Sequence, residues 1–162
     1  MVTVPDDVRS QPRVPPRWFV RTAWWVHRGL YRVTGGRFGL RRPRGHRWGM
    51  LRLTTTGRRT GREHSVIVAY IENGDDLVTL AMNGWAQGDP AWWLNLKAHP
   101  EATVDLVHES RPVRAHAAQD AERDQLWTAW RAYDHELDAY AGLRTTETAV
   151  VVLSPWEQPT HL

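Results

Sequence analysis

The sequence predicts a mainly β domain with inserted helices (α+β), an antiparallel barrel that is closed or split. Three observations carry the prediction. Two β-rich runs, 50–56 and 64–71, are joined by Gly57-Arg58-Arg59-Thr60-Gly61-Arg62, and Asn73-Gly74 then turns the chain into a third run at 77–82. Two helical stretches are inserted among further short strands. A last run, Thr148 to Leu153, is nearly all β-branched and returns to the sheet.

Residues 1–16 hold four prolines and several charges without apolar periodicity, and read as a disordered tail. A helical period then emerges. Phe19, Ala23, Val26, Leu30 and Val33 share one face, and Arg17, Arg21, Arg28 and Arg32 share the opposite one. Glycine and arginine dominate 35–49, a loop that completes an N-terminal basic region over 17–49. The barrel domain spans 50–156. Within it, Pro90 opens a short helix through Lys97, with Asp89 as N-cap and Pro100 just beyond the end. Runs 102–107 and 112–118 form another strand pair. Asp120 caps a helix to about Tyr133, extendable towards Tyr140, and 157–162 is a tail.

A chain of 162 residues can bury a core of its own as one domain. Its 41% hydrophobic and 24% charged residues are globular proportions, which argues against wholesale disorder. There is no cysteine, which excludes thiolate catalysis, zinc–thiolate sites and iron–sulfur clusters and suits a cytoplasmic setting. No apolar run nears the roughly 20 residues of a membrane span, and no signal-peptide pattern opens the sequence. The formal charge is +3, yet arginines crowd the first 62 residues, among them Arg41, Arg42, Arg44, Arg47, Arg58, Arg59 and Arg62. Local basic charge points to an anionic partner: a membrane surface, a nucleic acid or a phosphorylated small molecule. The tryptophan-flanked helix at 17–33 suits either peripheral contact with an anionic membrane or packing on the barrel. Nucleic acid is not expected as a partner, because the tryptophans do not alternate along one strand as a stacking platform would.

Two segments are candidates for a site. In 54–62, glycines permit tight backbone and three arginines offer forked donors to phosphate oxygens, although the same residues suit a solvated hairpin tip. In 83–96, a glycine-containing loop leads into Trp92, Trp93 and Asn95. That combination supplies stacking surface, or else a core-packing helix with Trp92 and Leu96 on one face and Trp93 exposed beside it. His64 follows the basic loop directly, and the eight histidines show no metal-ligand spacing. No Gly-x-Ser-x-Gly elbow or catalytic carboxylate pair is found. Good binding residues without a nucleophile are what a cofactor-borne reaction requires of its protein.

Taken in order and spacing, Leu53 to Gly61, Asn73-Gly74-Asp75, Asp89 to Pro100 and the closing Val-Val-Val-Leu-Ser-Pro strand resemble the deazaflavin-dependent nitroreductase family over about residues 50–155. The resemblance implies a split, FMN-binding-like β-barrel that binds the deazaflavin coenzyme F-420, with FMN as the alternative cofactor. By matching, Arg58, Arg59 and Thr60 fall where its phosphate and acidic tail are held, and His64, Ser65, Val66, Ala81, Met82, Asn83, Ala91, Trp92 and Asn95 fall along the coenzyme. Tyr133 matches an acceptor-side tyrosine, whereas Glu136 and Ala139 occupy two other such positions and Met82 stands where some relatives have serine. The implied activity is hydride transfer from the reduced coenzyme to a quinone-like, nitro or enone acceptor, and the membrane reading of 17–33 favours the quinone. A non-catalytic carrier of coenzyme or lipid on the same barrel is the other reading.

Overall fold

The computed structural model describes residues 39–157. The disordered tail expected at 1–16, the helix expected at 17–33 and all but the first residue of the tail expected at 157–162 lie outside the described residues. Six strands, β1 (Gly49–Thr56), β2 (Glu63–Asn73), β3 (Asp76–Leu80), β4 (Glu101–Asp105), β5 (Ser110–Ala117) and β6 (Val150–Pro155), pair antiparallel throughout. Their order is β1-β2-β3-β6-β5-β4, and β4 pairs back onto β1 to close the barrel. The predicted barrel is therefore present in its closed form. Three helices follow β3 and β5: α1 (Ala91–Ala98), α2 (Asp120–Arg131) and α3 (Leu137–Ala141).

Alternation on β1 explains the inside of the barrel. Leu51, Leu53 and Thr55 are buried while Met50, Arg52, Thr54 and Thr56 are half-exposed, the period of two that a strand imposes. Leu51 and Leu53 join Tyr70, Leu77, Val104, Val113, Val151 and Leu153 in the interior, and Trp92, Trp93 and Leu96 of α1 pack into the same cluster. β6 is buried on both faces. Val151 and Leu153 face the interior, while Val150 and Val152 meet Leu126 and Trp130 of α2 and Leu137 of α3 in an outer layer. A strand covered twice reads as an unbroken apolar run, which is why 148–153 carries so few polar residues.

Several local expectations shift for identifiable reasons. The hairpin between β2 and β3 turns on Gly74-Asp75 rather than Asn73-Gly74, because Asn73 pairs with Asp76 and only Gly74 takes a positive φ, 63°. Pro90, extended at ψ 150°, is the N-cap of α1, and the carboxylate of Asp89 instead accepts from Lys97 Nζ at 2.8 Å. Gln119 rather than Asp120 is the N-cap of α2, and no side chain caps it. That helix stops at Arg131, short of Tyr133, where Asp134 Oδ1 accepts from the Glu136 amide and turns the chain before α3. Trp93, expected to be exposed on one reading of α1, is buried. No helix among the described residues is long and apolar enough to cross a membrane.

Candidate functional site

The basic loop is a built turn rather than a loose tip. The Gly57 amide donates to the Arg62 carbonyl at 2.8 Å and the Gly61 amide to the Gly57 carbonyl at 2.8 Å, so the neck is closed and Gly61 takes a positive φ of 68°. A side chain at 57 would meet the His64 ring at 2.9 Å, so glycine lets exposed His64, the second residue of β2, lie against the loop. Arg58, Arg59, Thr60 and Arg62 are exposed on this frame.

Asn95 anchors the loop from below. The side chain is only 5% exposed. Its Oδ1 accepts from the Arg58 main-chain amide at 3.2 Å and from Arg58 Nη1 at 3.4 Å, while its Nδ2 donates to Thr55 Oγ1 at 3.2 Å. Thr55, buried inside the barrel, in turn donates to the His64 carbonyl at 3.4 Å. A buried amide must satisfy both its ends, and here it does so by joining α1, β1, β2 and the loop. On the neighbouring face of the same strand pair, the hydroxyls of Thr54 and Ser65 bond each other at 2.8 Å.

The end of β3 is held by a residue that sequence reasoning missed. Arg144, 7% exposed, donates from Nη1 to the Ala81 carbonyl at 3.3 Å and to Thr148 Oγ1 at 2.5 Å, from Nε to the Ala86 carbonyl at 3.0 Å, and from Nη2 to the Gly88 carbonyl at 2.7 Å. One guanidinium thus ties the end of β3 to the segment entering α1. Gln87 works beside it, donating to the Leu143 carbonyl and accepting from the amide and hydroxyl of Thr145. Between these bonds Asn83 to Ala86 form a turn in which Trp85, at φ 60°, stacks on Tyr140 with ring centroids 5.9 Å apart. A lone arginine between a short helix and an apolar strand has no periodic partner, so only its burial in the fold exposes its role.

The sequence-predicted residues are therefore distributed as follows. Arg58, Arg59, Thr60, His64, Ser65 and Asn95 come together around the loop, with Val66 one step further along β2 against the core. Ala81 is fully buried and bonds Ala149, Met82 is half-buried, Asn83 and Ala91 are exposed, and Trp92 is 8% exposed with its ring in the barrel core. Tyr133 sits apart. Its ring meets the edge of Trp130 at 6.4 Å in the outer layer, on the same cluster as Trp85. The group implied by the resemblance carries a phosphate and carboxylates, and the donor set fits it: three exposed arginines on one closed turn, with Nε and Nη2 of Arg58 lacking partners among the described residues.

A closed antiparallel barrel with a helix packed into its core and an arginine turn at one end is a small barrel of the split-barrel class. Solved structures agree on the fold. A chain described as a domain-swapped dimer superposes with a TM-score of 0.63 at 22% identity, over 82% of this chain and 99% of that one. An F420-H2 dependent reductase, FDR-A, does so with a TM-score of 0.60 at 22% identity, over 65% and 93%. The family model of F420H(2)-dependent quinone reductases matches residues 24–155, and the chain belongs to that family. An F420H(2)-dependent quinone reductase of Mycobacterium tuberculosis is 31% identical over 107 residues, 63% of this chain and 68% of the relative.

Proposed function

We propose that this protein is an F420H2-dependent reductase that delivers a hydride to a quinone-like acceptor. The observation that carries the reading is the arginine turn Gly57–Arg62, closed at its neck and bolted to buried Asn95 beside the coenzyme-matching segments of β2 and α1. When bound, the reduced deazaflavin supplies the hydride. The chain's own part is binding, orientation and the exclusion of water. Arg58, Arg59 and Arg62 offer donors to the phosphate and carboxylates, and Ser65 and Val66 extend the contact along β2. Met82, Asn83 and Ala91 provide a flank beside buried Ala81, and Arg144 holds the adjoining backbone at Ala81, Ala86 and Gly88. Trp92 supports that flank from the core. Tyr133 faces the acceptor side, and either its phenol or solvent delivers the proton that reduction to the hydroquinone takes besides the hydride. Residues 17–33, basic and tryptophan-flanked, are read as a peripheral contact with an anionic membrane, where a lipid-dissolved quinone is met.

The test is titration with oxidised and reduced coenzyme F-420 beside FMN, followed by turnover with menadione. Reduced coenzyme binds and is oxidised by menadione, and Arg58→Ala combined with Arg59→Ala weakens binding by about a hundredfold, the loss of two charge-assisted contacts. Binding without oxidation makes the protein a carrier. Preference for FMN, or no binding of F-420 by the unaltered protein, overturns the reading.

A further inference from the structure

We propose that Asn95 is a positioning residue: it presets Arg58 for an anion instead of contacting the coenzyme itself. This rests on the reading of the arginine turn as the coenzyme site. Its amide is committed within the protein. Oδ1 takes both the main-chain amide and Nη1 of Arg58, and Nδ2 is held by Thr55, a residue 1% exposed that bonds on to His64. The side chain is itself buried at 5% exposure, so the amide is directed inward to these partners.

The consequence for Arg58 follows from guanidinium geometry. Nη1 is tethered, and the edge formed by Nε and Nη2 has no partner among the described residues. That edge is the planar fork that takes two oxygens of a phosphate or carboxylate. An arginine on an exposed turn samples many rotamers, and freezing them on binding lowers affinity. The tether to a buried amide fixes the base and the tip of the side chain before any ligand arrives. Because Asn95 also holds Thr55 and, through it, the start of β2, both stems of the turn share one anchor.

The test is a double-mutant cycle on the full chain, comparing the unaltered protein, Asn95→Leu, Arg58→Ala and the double variant. Dissociation constants for coenzyme F-420 are read from its fluorescence, and hydrogen exchange at the Arg58 amide is read without ligand. Asn95→Leu is expected to weaken binding about tenfold when Arg58 is present and less than about twofold when it is absent, the non-additivity of residues that act through one another. Exchange at the Arg58 amide rises in the same variant. Asn95→Ala provides a second variant that removes the amide without adding bulk or charge; it should weaken binding in the same way. If Asn95→Leu does not fold, the cycle is run with Asn95→Ala on the same criterion. Equal losses in both Arg58 backgrounds, or unchanged affinity in a folded variant, overturn the positioning role alone. Failure of the unaltered protein to bind F-420 overturns the reading of the site, and this proposal with it.

Discussion

Tyr70 shows how a single side chain can work against its own fold. It is fully buried in the barrel, and its hydroxyl has no hydrogen-bond partner among the described residues. The ring lies so close to Gly49, its partner across β1 and β2, that a Cβ there would come within 2.4 Å of it, so only glycine fits opposite it. Burial, with nearby Glu72 adding to it, pushes the phenol from its usual 10 up to about 12. Because the folded value is raised, its contribution to stability is intact below pH 10 and is lost as pH climbs through the window from 10 to about 12. Tyr70→Phe removes the unsatisfied hydroxyl while keeping the ring. It should stabilise the protein at pH 8 by about 1 kcal/mol, a rise of a few degrees in melting temperature, and should flatten the alkaline fall in stability. Urea unfolding at pH 8 and pH 11 checks both. A destabilised variant at pH 8 would show that the hydroxyl is bonded after all.

At the scale of elements, strands were more legible than the joints between them. β1 shows its buried face in Leu51, Leu53 and Thr55, and β6 its double burial in Val150 to Leu153, because period and composition are written into consecutive residues. Helix starts were misplaced because a cap depends on which competing bond a side chain makes: Asp89 prefers Lys97, and Gln119 rather than Asp120 precedes the first turn of α2. The loop's arginines were legible by type, but their anchor at Thr55 and Asn95 was not, since that contact joins residues 40 apart. Arg144 gave no signal at all. Its guanidinium serves three carbonyls and one hydroxyl across a gap of up to 63 residues, with no carboxylate beside it among the described ion pairs. Arg144→Met should therefore leave several buried acceptors unsatisfied and cost about 3 kcal/mol or more. Arg144→Lys keeps the charge but cannot span the same carbonyls with one ammonium, and should recover less than half of that. Gln87→Ala, at the more exposed edge of the clamp, should cost about 1 kcal/mol. Denaturant unfolding measures all three, and a fully stable Arg144→Met protein would mean that the clamp is an incidental contact.

For the whole molecule, the barrel separates two kinds of surface. The arginine turn, proposed above as the anion site, stands at the end of β1, beyond Thr56, and its arginines are exposed to solvent. Tyr133, proposed above for the acceptor side, packs with Trp130, Trp85 and Trp48 against the aliphatic outer layer. A closed barrel holds these surfaces at a fixed separation, since β4 pairs with β1 and leaves no edge that could open. The two substrates should then answer to salt independently. If the exposed arginines of the turn meet the phosphate and carboxylates as proposed, coenzyme binding should weaken by about fivefold or more between 50 and 500 mM sodium chloride, as screening shortens the reach of each charge. The KM for menadione, an uncharged acceptor, should stay nearly constant over the same range when coenzyme is saturating. Loss of salt sensitivity in the combined Arg58→Ala and Arg59→Ala variant would tie the effect to the turn, because the net charge of the chain, +3, is small and most of its other arginines remain. A menadione KM that rises with salt in parallel with the coenzyme constant would place both substrates on the same charged surface and remove the division of labour argued for the barrel.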